Sequence, residues 1–180
     1  MRLFGRKSQE SESREQAAPM PDKPPLPFVK KMLVVVDGSQ PALDAVDYAI
    51  ALATRVSCEL IAAFVIDTAI MDYLLQMRIL VKDEREDFEL DLEKKGRHAL
   101  AQVRSLGLVH GLEIETLLCK GRLHQTILQT ARELQIDTIV IGGWHEGTTL
   151  KDSSSVERQL VLDQAECPVI VIKTPDANHH

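Results

Sequence analysis

The chain has 180 residues, with 21 Lys and Arg against 27 Asp and Glu, a formal charge of −6, and 44% hydrophobic residues; this is globular composition in a length that buries a core without metal or disulfide staples. No apolar run approaches the roughly 18 residues that a membrane-spanning helix needs, and the N-terminal MRLFGRKSQE lacks the apolar stretch of a secretory signal. Cys58, Cys119 and Cys167 are scattered and odd in number, which predicts a reducing, cytoplasmic setting, and an acidic chain with 4% aromatics offers neither a basic groove nor a stacking platform for nucleic acid.

Charge and proline are unevenly distributed. Residues 1–31 carry seven basic and four acidic side chains, and five of the eight prolines (Pro19, Pro21, Pro24, Pro25, Pro27) fall in the same stretch. Proline at that density removes backbone donors and disfavours helix in its neighbours. Residues 1–29 are therefore predicted to be a disordered arm, 30–174 the folded domain and 175–180 a tail.

From Lys31 the pattern changes. KMLVVVD is a short, continuous, β-branched run, as in a strand buried on both faces. Gly38-Ser39-Gln40 forms a turn, and Pro41 stands where a helix begins. Leu43, Val46, Ala49, Ile50, Ala53 and Val56 then recur at helical spacing. Glu59–Ile66 reads as a second strand. Met71, Leu74, Leu75, Met77 and Ile79 suggest a short helix. Phe88, Leu92, Ala99, Val103 and Leu106 carry a longer one, whose seven acids between residues 83 and 95 form a solvated face. Gly107 and Gly111 are predicted to bracket a loop. Leu112–Cys119 reads as a third strand, Arg122–Leu134 as a helix and Asp137–Ile141 as a fourth strand. Gly142–Ser154 reads as a loop, Ser155–Gln164 as a helix and Pro168–Ile172 as a fifth strand. Alternating strands and helices make right-handed β-α-β units and a parallel sheet covered on both faces. Ligands of such sheets bind at the carboxyl ends of the strands, where the chain order reverses. That rule directs attention to Asp37-Gly38-Ser39, Asp67, Lys120-Gly121-Arg122 and the loop after the fourth strand.

Three stretches together resemble the universal stress protein family: MLVVVDGSQPALDAVDYAIALA at 32–53, CKGRLHQTILQTARELQIDTIVIGG at 119–143, and QLVLDQAECPVIVIK at 159–173. The resemblance spans about residues 31–173. It implies a doubly wound, five-stranded parallel α/β sheet of order 3-2-1-4-5, of the adenine-nucleotide alpha-hydrolase-like type. It also implies a homodimer formed through the last strand, here Val169–Ile172; an apolar edge left open invites pairing. Many members bind ATP through the pattern G-x2-G-x9-G-[S/T] and an Asp that ends the first strand. Asp37, Gly121 and Gly142 match. Counted without gaps, His145 and Ser155 stand where the family has its second and third glycines, and Val156 replaces the final Ser/Thr; a one-residue shift, which needs an insertion in the last helix, puts Ser154-Ser155-Val156 over the family's Gly-Ser-Val instead. Side chains there obstruct the close approach of phosphate to backbone amides. The implied cofactor-binding set is Asp37, Gly38, Ser39, Val65, Gly121, Gly142, Gly143, His145, Ser154 and Ser155, holding ATP weakly, with Mg²⁺ only as its companion.

Other readings of the same residues stay open. Ser154 and Glu157 form an S-x-x-E capping box, while Ser153, Ser154, Thr148 and Thr149 are alternative phosphate contacts. His145 has no paired nucleophile, Trp144 suits packing, and the cysteines read as small buried apolar groups, Cys119 beside Lys120 being the best candidate for a redox role. The expected function is a cytoplasmic, homodimeric stress-response module that is not primarily an enzyme. One alternative is an adaptor working through the arm and the acidic helix, with an unknown protein partner. The other is a slow ATPase or self-phosphorylating protein, although no P-loop lysine motif is present.

Overall fold

The computed structural model describes residues 29–79, 82–143 and 153–173. The elements in chain order are β1 (Lys31–Val36), α1 (Gln40–Val56), β2 (Glu59–Asp67), α2 (Thr68–Gln76), α3 (Lys82–Val109), β3 (Ile114–Gly121), α4 (Leu123–Glu133), β4 (Thr138–Gly142), α5 (Ser153–Gln164) and β5 (Val169–Ile172). The five strands form one parallel sheet in the order β3-β2-β1-β4-β5, as the sequence implies.

The apolar runs are continuous because both faces of the sheet are covered. Met32, Val34 and Val36 of β1 point into a cluster with Ala45, Val46, Ala49, Ile50 and Ala53 of α1 and Leu100 and Val103 of α3. Leu33 and Val35 alternate to the opposite face, against Ile127 and Ala131 of α4 and Val161 of α5. Period-two alternation thus divides a single hydrophobic word between two cores. The start of β1 is held by Asp137, whose Oδ2 accepts from the Lys30 N–H at 2.8 Å and the Lys31 N–H at 2.9 Å. Helix α1 opens on Ser39, whose hydroxyl accepts from the Ala42 N–H, and closes on Ser57 in the left-handed conformation. The acidic face of α3 is tied back to the sheet by Glu89, which meets Lys120 Nζ at 2.7 Å.

Two boundaries differ from expectation. Helix α3 runs through Gly107 to Val109 instead of ending before it. A Cβ at Gly107 would lie 2.5 Å from Ile114 Cδ1 and 2.7 Å from the Leu112 carbonyl oxygen, so this glycine serves close packing at the base of the helix. The reversal comes later, at Gly111, with φ +71°. Helix α5 begins at Ser153, so Ser154 lies inside its first turn and is not a cap ahead of it. Strand β5 is an edge of the sheet, and Val169–Ile172 are all half-buried. Among the described residues no helix is long and apolar enough to cross a membrane.

Candidate functional site

The carboxyl ends of β1, β2 and β4 open on one cavity of about 220 Å³. Val35 and Asp37 come from β1 and its end, Phe64–Asp67 from β2, and Ile141 and Gly142 from β4. The walls are completed by Phe88 and Leu92 of α3, Leu123 and Ile127 of α4, and Glu157, Arg158 and Val161 of α5. Strand β1 is where the order reverses, its neighbours being β2 on one side and β4 on the other, so the cavity lies where a sheet of this kind leaves room for a ligand. It is mostly apolar, with a few polar groups near its opening, which is the usual make-up of a small-molecule site.

Those polar groups are already engaged with one another. Asp37 Oδ1 accepts from the Ser39 N–H at 2.8 Å, and Oδ2 accepts from Arg158 Nη2 at 2.5 Å. Arg158 is only 9% exposed. A guanidinium at that depth requires a counter-charge, and Asp37 supplies it from 121 residues away. The neighbouring Glu157, also buried, turns toward α4. Its Oε2 accepts from the His124 N–H at 3.0 Å and meets His124 Nδ1 at 2.6 Å. Arg122, at the start of α4, makes no side-chain cap. Glu157 therefore caps α4 from outside, satisfying one of the amides that the first turn leaves without an intrahelical partner. The Glu157 carboxylate of the predicted Ser154–Glu157 capping box thus serves α4 through Oε2, and the side chain of Ser154 lies outside the described residues.

The sequence-predicted residues are distributed as follows. Asp37, Val65 and Gly142 line the cavity. Gly38 and Ser39 continue from Asp37 into the turn before α1. Gly38 has φ +80° with open space around it, so its conformation and not its size demands glycine. Gly121 lies on β3 opposite Asp67 and does not line the cavity. Gly143 is one residue beyond the lining, its N–H donating to the Ile172 carbonyl at 2.7 Å. Ser155 is 2% exposed, and its hydroxyl has no partner among the described residues. His145, Trp144, Thr148 and Thr149 lie outside the described residues, as do the side chains of Ser153 and Ser154.

Gly142 has a reason that its motif does not reveal. A Cβ there would lie 2.5 Å from the Pro41 carbonyl carbon, 2.6 Å from its oxygen and 2.7 Å from the Ala42 nitrogen. The end of β4 passes directly against the first turn of α1, backbone on backbone. Burial pushes Cys58, Cys119 and Cys167 above the ordinary thiol value, and for Cys119 the charge of Glu133 adds to burial while a hydrogen bond with Thr130 opposes it. Lys120, the cation beside Cys119, is held by Glu89. The protonated thiol is the weak nucleophile of the pair.

The sequence model of the universal stress protein family matches residues 29–173. The chain belongs to the universal stress protein family. This universal stress protein is 29% identical over 153 residues to one from Methanocaldococcus jannaschii, with 81% of this chain and 83% of the relative covered. It is 28% identical over 148 residues to one from Bacillus subtilis, covering 79% and 98%. Among solved structures it shares the fold of a universal stress protein from Lactobacillus plantarum, with a TM-score of 0.65 at 24% identity, covering 81% and 98%. It likewise shares the fold of a family protein from Arabidopsis thaliana with AMP bound, with a TM-score of 0.58 at 18% identity, covering 82% and 93%. A further universal stress protein of the same fold, with a TM-score of 0.60 at 18% identity and coverage of 82% and 99%, is a complex with cAMP.

Proposed function

We propose that this universal stress protein is a cytoplasmic, homodimeric stress-response module that senses adenine nucleotides weakly and is not primarily an enzyme. The observation that carries the reading is the apolar cavity at the ends of β1, β2 and β4 with Asp37 at its polar edge. The AMP and cAMP held by relatives of the same fold lend it support. The residues present suit the less charged end of a nucleotide. Val35, Val65 and Ile141 offer apolar surface to a base, and Asp37 retains acceptor capacity for a ribose hydroxyl beyond its bonds to Ser39 and Arg158. They suit a triphosphate less well. His145 and Ser155 replace glycines of the family pattern, and the buried cation facing the cavity is already paired. Mg²⁺ would enter only with the phosphates. Support for the dimer comes from β5, an apolar edge strand that pairs only with β4 among the described residues and so suits pairing with a second copy.

A second reading is favoured by the outer face of α3, where Glu86, Asp87, Leu90 and Asp91 are exposed together. On that reading the chain is an adaptor and α3 is its docking face.

Titration calorimetry of the full-length protein with Mg-ATP tests the first reading. Half-saturation is expected between roughly 0.1 and 1 mM, an affinity of about −4 to −5.5 kcal/mol. Phosphate release no faster than the protein-free blank is expected, and sedimentation at twice the chain mass. Failure of every adenine compound to bind at millimolar concentration contradicts the sensor and leaves the adaptor.

A further inference from the structure

The Asp37–Arg158 ion pair does more than satisfy two charges. Arg158 lies on the cavity wall, nearly buried, and among the described residues it is the cation that lines the cavity. Its partner Asp37 is 37% exposed in its side chain and sits at the opening. Glu157, the preceding residue on α5, is committed to the His124 backbone and ring. Asp67 ends β2 on the same rim and adds a second carboxylate. The two α5 pairs brace that helix against β1 on one side and α4 on the other, so the guanidinium is held in place by its surroundings.

An incoming polyanion that pairs with Arg158 must share it with Asp37, through N–H donors that the Nη2 bond to Asp37 leaves over. That sets the Asp37 carboxylate beside the new negative charge, in a place partly screened from water. An uncharged ligand meets no such repulsion. It covers the apolar wall, donates a hydroxyl to Asp37 and leaves the ion pair in place. We propose that Asp37 is a specificity-determining residue that, by engaging Arg158 and keeping a carboxylate at the opening, makes this cavity select an uncharged nucleoside over the corresponding polyphosphate. The proposal rests on the adenine-site reading above and names the ligand class within it.

The test is a titration series with adenosine, AMP, ADP and ATP on the full-length protein, repeated on Asp37→Asn and Arg158→Gln, with circular dichroism and melting confirming that each variant is folded. For the unmodified protein, affinity is expected to fall with each added phosphate, adenosine binding about tenfold tighter than ATP or better, a difference of about 1.4 kcal/mol. Asp37→Asn, which releases the guanidinium, shifts the adenosine-to-ATP ratio by about tenfold toward ATP. Arg158→Gln shifts it the other way. ATP binding the unmodified protein more tightly than adenosine overturns the proposal while leaving the adenine site standing, and so does an unchanged ratio in a folded Asp37→Asn variant. Binding of neither compound removes the adenine site and the proposal together. The phosphate series on the unmodified protein decides the matter even where a variant does not fold.

Discussion

Gly142→Ala is expected to cost about 3 kcal/mol of stability, at the upper end of what overpacking a close-packed interior costs. In a domain of this size that lowers the melting temperature by about 6–12 °C. The added methyl would meet the carbonyl carbon and oxygen of Pro41 and the nitrogen of Ala42, all within 2.7 Å. These are backbone atoms of the first turn of α1, anchored by Ser39 and unable to rotate aside as a side-chain terminus would. Either the end of β4 or the start of α1 must move, and both border the cavity. Gly38→Ala is the informative comparison. No atom lies within 4 Å of its would-be Cβ, so only its φ of +80° opposes substitution, and the cost falls to about 1 kcal/mol. A Gly142→Ala protein that melts within a degree of the parent contradicts this packing.

Glu157→Ala is expected to cost about 3 kcal/mol, since it strips the acceptor from two buried donors at once. The His124 N–H belongs to the first turn of α4, where no neighbouring side chain takes over, and His124 Nδ1 points at the same carboxylate oxygen. Glu157→Gln, which keeps an amide oxygen in that place, should lose less than half as much. The order of melting temperatures (parent, then Gln, then Ala) checks this by thermal denaturation. Equal losses for the two variants would mean that the carboxylate is held for its charge and not as a cap.

The parallel sheet was legible because its strands announce themselves. Runs such as Met32–Val36 and Leu60–Ile66 are continuous only if helices cover both faces, and Ser39 with Pro41 marks the start of α1 from local chemistry alone. The position of Asp37 at the end of the first such run marks it as a site residue from the sequence alone. The passage of α3 through Gly107 was not legible. A glycine near a helix end looks the same whether it terminates the helix or admits a neighbour, and the neighbour here is Ile114, on the following strand. The roles of Glu157 and Arg158 were hidden for a related reason. Ser154 and Glu157 have the spacing of a local capping box, but the partners that engage Glu157 and Arg158 lie 33 and 121 residues away. Pairing at that distance leaves no periodic trace. Gly142 was found through its motif, but its contact with Pro41 belongs to the packing of β4 on α1 and is silent in the sequence.

The most direct measurement of nucleotide sensing is a backbone amide NMR titration of the full-length protein with AMP, read residue by residue. Saturable shifts are expected at Val35–Ser39, Val65–Asp67 and Gly142–Gly143, with much smaller shifts at the separate cleft formed by Leu128, Gln135 and Cys167. Amides at the ends of β1, β2 and β4 that stay unmoved at millimolar AMP, or shifts concentrated in the second cleft, would contradict adenine binding at this site.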